Sequence, residues 1–169
     1  MFDIKKEAKY AIKTLDPGLL KIDDKEAFIY TNIVTDSELI KSNLRLAPVV
    51  IQKYLFPKFD IRVTVVGCKL FTVKILRQGK NIDGDWRRIK KEELEYIPIK
   101  LPDDISQFCI NLVKKLGLVF GAIDLAFANG GYYFLEVNPT GEWTWLVNTI
   151  NSPIHKEIAY LLAQGRDVR

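Results

Sequence analysis

The chain has 169 residues but only one histidine, His155, and two cysteines, Cys68 and Cys109. No zinc-spaced Cys/His cluster, Ser-His-Asp set or Walker-type glycine loop is present. His155 falls in the first turn of a predicted last helix and reads as neither ligand nor base. Cys68 follows the glycine of a predicted turn and Cys109 lies on the apolar face of a predicted helix, so two free thiols in a reducing compartment are expected. No apolar run approaches the ~20 residues that a membrane span needs. The opening "MFDIKKEAKY" is charged throughout and has no apolar targeting core, so the expectation is a soluble, cytoplasmic protein with no membrane partner. An excess of one charge sign is also missing. Lys and Arg total 25 against 21 Asp and Glu, for a net charge of +4, and the basic residues are scattered. Nucleic-acid binding gains no support from this, while anionic small molecules remain open as ligands.

What is present is a hydrophobic fraction of 48%, enough for one domain with a sizeable core. "AKYAIKTL" and "EAFIYTNIV" read as strands joined by the loop "DPGLLKIDDK", with turn residues Pro17-Gly18 and Asp23-Asp24. "TDSELIKSNLRL" opens with Thr35 and Glu38 in capping-box spacing and predicts an amphipathic helix with Leu39, Ile40 and Leu44 on one face. "PVVIQKYL" predicts a strand, and "DIRVTVVGCKLFTVKILRQ" a hairpin turning at Gly67. In "PDDISQFCINLVKKLG", Asp103 or Asp104 serves as N-cap, Ile105, Phe108, Cys109, Leu112, Val113 and Leu116 form the apolar stripe, and Gly117 terminates the helix. A second hairpin joins "FGAIDLAF" to "YYFLEVN", and "SPIHKEIAYLLAQG" predicts a closing helix with Pro153 in its first turn. The expected fold class is α+β, a mostly antiparallel sheet with flanking helices.

The second hairpin carries chemistry. A three-residue loop Asn129-Gly130-Gly131 would set Asp124 directly opposite Glu136, with Asn138 one pleat further on. Ile123, Leu125, Leu135 and Val137 would then form the apolar face. Facing carboxylates repel unless a cation or proton lies between them. Acid, acid and amide oxygens suit Mg2+ or Mn2+. Such residues also read as the solvated face of an antiparallel sheet. The register and the apolar neighbours Ala122, Ala126 and Phe134 favour the metal. A three-residue loop in the first hairpin would place Arg62 opposite Lys74, two like charges that suggest an anion between or above them, or two side chains splaying into solvent.

"GAIDLAF…YYFLEVNPTGEW" resembles the C-terminal metal-binding hairpin of the ATP-grasp ligases, most of all the RimK-like branch and the ligases that crosslink ribosomally made peptides. The resemblance implies an ATP-grasp C-terminal portion with a lid-like subdomain at about 1–55 and a metal-binding subdomain at about 56–169. It implies ATP and Mg2+ (or Mn2+) as cofactors, with Asp124, Glu136 and Asn138 as metal ligands. Lys13 is similar to the strand-end lysine that reaches the nucleotide phosphates, and loop 16–25 to the cover above them. Lys53, Tyr54 and Leu55 resemble the hinge strand beside the adenine, although the family often has an acid where Lys53 stands. Asp60 in "DIR" resembles the acid that binds ribose hydroxyls, and otherwise reads as a turn residue at a strand start. Arg87 in "DWRRIK" resembles the arginine near the transferred phosphate, and Lys74 joins it as a catalytic candidate. Trp143 and Trp145, at strand spacing, read as packing residues.

The chemistry this implies is a carboxylate-amine or carboxylate-hydroxyl ligase acting through an acyl phosphate, with a peptide or protein carboxylate as substrate. The family's N-terminal domain has no counterpart in this sequence, so an incomplete ligase is expected, completed by a missing N-terminal half or assembled as a homodimer. The rival reading is a non-catalytic ATP-grasp module serving binding, scaffold or dimerisation.

Overall fold

A computed structural model describes residues 7–15, 19–22 and 25–165. The expected turn residues Pro17-Gly18 and Asp23-Asp24 lie outside them. Two compact units divide the chain. One runs up to Phe56 and adds Asp83–Lys90, and the other takes Pro57–Ile82 and the chain from Lys91 onward.

In the first unit, β1 (Lys9–Thr14) is flanked by β4 (Asn32–Thr35) and β5 (Val49–Lys53) in a three-stranded antiparallel sheet. The stretch expected as a bare loop followed by one strand instead holds a small hairpin, β2 (Leu19–Ile22) with β3 (Lys25–Phe28), before β4 begins. Helix α1 (Asp36–Lys41) has the expected capping box. The Thr35 hydroxyl accepts from the Glu38 amide, and the Glu38 carboxylate accepts from the Thr35 amide at 2.8 Å. The helix stops after six residues, short of Leu44, and none of its residues is buried. Ile40 is 83% exposed, so the expected apolar face does not form a core.

The second unit is built on a five-stranded antiparallel sheet in the order β10-β9-β6-β7-β8, comprising β6 (Lys58–Val66), β7 (Lys69–Arg77), β8 (Leu94–Pro98), β9 (Phe120–Ala128) and β10 (Gly131–Asn138). Alternation along β6 and β9 sends Ile61, Val63, Val65, Ile123 and Leu125 to one face, where Cys109 and Val113 of α2 (Asp103–Lys115) close the core. Close approach of α2 depends on Gly121, whose hypothetical Cβ would lie 2.9 Å from a Val113 methyl. Phe108 and Leu116, expected in the helix stripe, are about half exposed, and the N-cap is Pro102 rather than an aspartate. Asp103 and Asp104 sit inside the first turn, where their charge favours the helix dipole.

Two elements were not foreseen. Strand β8 follows a 3-10 turn, and α3 (Thr144–Ile150) begins where Trp143 and Trp145 suggested strand spacing. Trp145 is helical and packs on Tyr96 of β8, with ring centroids 4.6 Å apart. α4 (Ile154–Ala163) follows, with Pro153 at its N-cap. Ile123, fully buried on β9, tests this core. Ile123→Ala should cost about 3 kcal/mol in urea unfolding, read as a lower midpoint with an unchanged slope.

Candidate functional site

The hairpin of β9 and β10 closes differently from expectation. Its loop has two residues, not three. Asn129 and Gly130 take φ of +51° and +76°, the left-handed pair of a type I′ turn, and Ala128 faces Gly131. That register alone would leave Asp124 opposite Leu135. A bulge between Phe134 and Glu136 then adds one residue to β10, and beyond it Glu136 faces Asp124 and Asn138 faces Ala122. The facing pair is thus the expected one, reached by a tighter turn plus a bulge. The bulge also changes the neighbours. Phe134 pairs with Leu125 and packs edge-on to Phe108 of α2, so it lies on the core face. Tyr133, opposite Ala126, takes its place beside the acids.

β6 extends this row across a third strand. Arg62 is opposite Asp124, and its Nε lies 2.9 Å from the Asp124 carboxylate, with both side chains largely buried. The first hairpin turns in two residues, Gly67 and Cys68, so Arg62 faces Val73, and Lys74 faces Ile61. The expected Arg62 and Lys74 pair is therefore overturned by a register shift of one, which sends the two to opposite faces of the sheet. Lys74 lies on the core side, with its ammonium 5.0 Å from the centre of the Phe59 ring. Asp60 shares the face of Arg62 and Asp124. It sits within β6 rather than at a turn, and it is buried and paired with Lys58 at 2.6 Å.

Loop 139–143 lies over this acidic face. Gly141 permits the approach, since a Cβ there would come within 2.3 Å of the Ala122 Cβ and 3.3 Å of an Arg62 terminal nitrogen. Asn138 anchors the loop. Its side-chain oxygen accepts from the Thr140 amide at 2.9 Å and from the Thr140 hydroxyl at 3.2 Å. Asp124, Glu136 and Asn138 thus lie on one face, two carboxylates and an amide in register with the small residues Ala122 and Ala126. The donor set fits a hard divalent cation.

The remaining expected residues belong to the first unit. Lys13 is opposite Val50 on β1, and Lys53 is opposite Tyr10, so the two lysines point to opposite faces of their sheet. Because the Tyr54 amide donates to the Lys9 carbonyl, the backbone polar groups of Lys53 point away from β1 along an edge that no described strand of this unit pairs. The Tyr54 hydroxyl donates to Asp83, and burial with that bond raises its pKa well above the usual tyrosine value. Leu55 follows, partly buried. A cavity of about 490 Å³ in this unit is lined by Lys9, Asn32, Tyr54, Asp83 and Arg88 among others.

Arg87 grips Asp85 two residues back. Its Nε and one terminal nitrogen each lie 2.9 Å from the two carboxylate oxygens. Asp85 also accepts from the Thr31 and Arg87 amides. Burial pushes the Asp85 carboxyl up, but the Arg87 hydrogen bonds and charge with the two amides outweigh it and hold it below the usual value. A lowered folded-state pKa stabilises at neutral pH, and that contribution is lost as pH falls through it, below about pH 4. Asp85→Asn should therefore cost on the order of 1–2 kcal/mol at pH 7 and flatten the acid limb of a melting-temperature profile.

A family model, the RimK-like ATP-grasp domain, matches residues 22–162. None of the curated proteins matches. Among solved structures, a Chryseobacterium gregarium RiPP-associated ATP-grasp ligase, in complex with ADP and a leader and core peptide, is 30% identical with a TM-score of 0.80, over 94% of this chain and 49% of that one. The macrocyclase MdnC from Microcystis aeruginosa MRC, bound with precursor peptide MdnA, is 32% identical with a TM-score of 0.75, over 93% of this chain and 50% of that one. The ATP-grasp ligase PsnB, complexed with a minimal-precursor variant, Mg and ADP, is 20% identical with a TM-score of 0.67, over 94% and 47%, a likeness of fold alone. The chain spans about half the length of these proteins. The antiparallel α+β architecture and the match over most of the sequence agree, and the chain belongs to the RimK-like ATP-grasp domain family.

Proposed function

We propose that the chain supplies nucleotide- and metal-binding groups of a ligase that joins a peptide or protein carboxylate to an amine or hydroxyl at the expense of ATP. One observation carries this reading: the bulge-set register that faces Glu136 to Asp124, with Asn138 one pleat on, in a chain of this family. The two relatives at 30% and 32% identity were solved with peptides, one of them with ADP, which supports a peptide substrate and the nucleotide.

In the reaction, the substrate carboxylate takes the γ-phosphoryl group and ADP leaves. The amine or hydroxyl then attacks the acyl carbon, loses its proton, and inorganic phosphate departs. Asp124, Glu136 and Asn138 would hold Mg2+ or Mn2+. Such an ion, when bound, offsets the repulsion between a carboxylate and a triphosphate. In the first unit, Lys53 offers outward backbone groups to a base edge, with Tyr54 and Leu55 beside it. Lys13 and Arg87 offer positive charge to phosphate. In the second unit, Asp60, paired with Lys58, is the acid for ribose hydroxyls. Lys74, on the core side of the sheet, takes no part. No side-chain nucleophile is required.

A second reading, a non-catalytic binding or scaffold module, draws on the Arg62–Asp124 pair, which already supplies Asp124 with a counter-charge. Melting curves separate the two. Saturating ATP with Mg2+ should raise the melting temperature by several degrees, since binding at 100 times Kd adds about 2.7 kcal/mol and each kcal/mol is worth roughly 2–4 °C in a chain of this size. Glu136→Gln should abolish the rise. Unchanged melting at millimolar nucleotide would favour the scaffold.

A further inference from the structure

Arg62 has no role in the residue set above, yet it occupies the centre of the acidic row. Its side chain is about 11% exposed and that of Asp124 about 17%, so the pair has surrendered most of its water. The distance of 2.9 Å is that of a close ion pair. Nevertheless, the Nε–H is not aimed along a hydrogen bond to any acceptor, and Nε is one of two buried polar side-chain atoms in this state among the described residues. The other is the hydroxyl of Thr64, two residues along β6 and on the same face. A desolvated guanidinium held by charge but not by a directed bond is an incompletely compensated group. Loop 139–143 passes directly over it at Gly141.

We propose that Arg62 is the resting counter-ion of the Asp124–Glu136 site: it neutralises Asp124 while no divalent ion is bound, and a divalent ion must displace it to use that carboxylate. This rests on the metal-site reading above. The physical reason is repulsion between like charges. A cation shared by Asp124 and Glu136 would come close to the Arg62 guanidinium, whose Nε lies 2.9 Å from Asp124 Oδ1. Arg62 therefore sets the threshold for metal entry. Its release would free the guanidinium beneath loop 139–143, coupling the occupancy of the site to the loop anchored by Asn138.

The test is titration of the full chain with Mn2+ alone, following loss of the free-ion electron paramagnetic resonance signal, for the wild type, Arg62→Gln and Arg62→Lys. Arg62→Gln is expected to bind Mn2+ about fivefold tighter or better, the lower end of typical coupling between two sites. Arg62→Lys, which keeps the charge, is expected to stay near the wild type and serves as the folded control beside circular dichroism of each variant. Mn2+ binding by Arg62→Gln that equals or falls below that of the wild type, with the fold intact, would overturn the counter-ion role while leaving the metal site standing. If Arg62→Gln does not fold, Arg62→Met takes its place in the titration, where Mn2+ binding tighter than that of the wild type supports the role and equal or weaker binding refutes it. Failure of Mn2+ to bind the wild type, Arg62→Lys and Arg62→Gln alike would remove the metal site itself, and the counter-ion role with it.

Discussion

The constraint on which the second unit depends is strand register. Side chains alternate along a strand with a period of two, so a slip of one residue moves every group to the other face. On β10 that slip is built in: the Asn129-Gly130 turn sets one register and the bulge before Glu136 replaces it with another. Up to Phe134 the strand serves the α2 core. From Glu136 onward it turns its acid and amide to the face shared with Asp124. A single extra residue lets one strand serve packing at one end and chemistry at the other, a use of bulges common beside functional sites.

Electrostatics follows from that geometry. Two carboxylates directly opposite across a ladder, at about 5 Å and an effective dielectric constant of about 20, repel by on the order of 3 kcal/mol. That is a substantial share of the stability of an ordinary domain. Arg62, in register with both on the third strand, is the element that makes the row tolerable. The same sheet carries a second internal pair at Lys58 and Asp60. Basic and acidic residues therefore alternate with apolar core residues along β6, and its two faces have opposite chemical character.

Much of this was legible in the sequence. The capping box at Thr35, the glycine stop at Gly117 and the apolar positions 61, 63, 65, 109, 113, 123 and 125 are local rules, and the structure follows them. The facing of Asp124 and Glu136 was also legible, although a two-residue turn plus a bulge gives the same sum as the three-residue loop assumed. The errors share a cause. Register in the β6–β7 hairpin depends on whether Lys69 belongs to the turn, and no side-chain pattern distinguishes the two choices when both faces of the sheet are covered. The Arg62–Asp124 pair was hidden because nothing local to "DIR" or "AIDL" reveals that β6 lies beside β9. α3 was missed because Trp143 and Trp145 suggested a strand, and contact with Tyr96 of β8 holds Trp145 on a helix instead. Asp83 and Asp85, which fasten Tyr54 and Thr31, were passed over because those partners are distant in sequence.

The central claim, that residues of β9 and β10 hold a divalent ion between facing carboxylates, is tested most directly by amide NMR of the isotope-labelled chain with substoichiometric Mn2+. Paramagnetic broadening that begins at residues near 124 and 136, and spares α2, is the predicted result. Broadening spread evenly over surface carboxylates, with the amides around Asp124 and Glu136 as sharp as the rest, would contradict it.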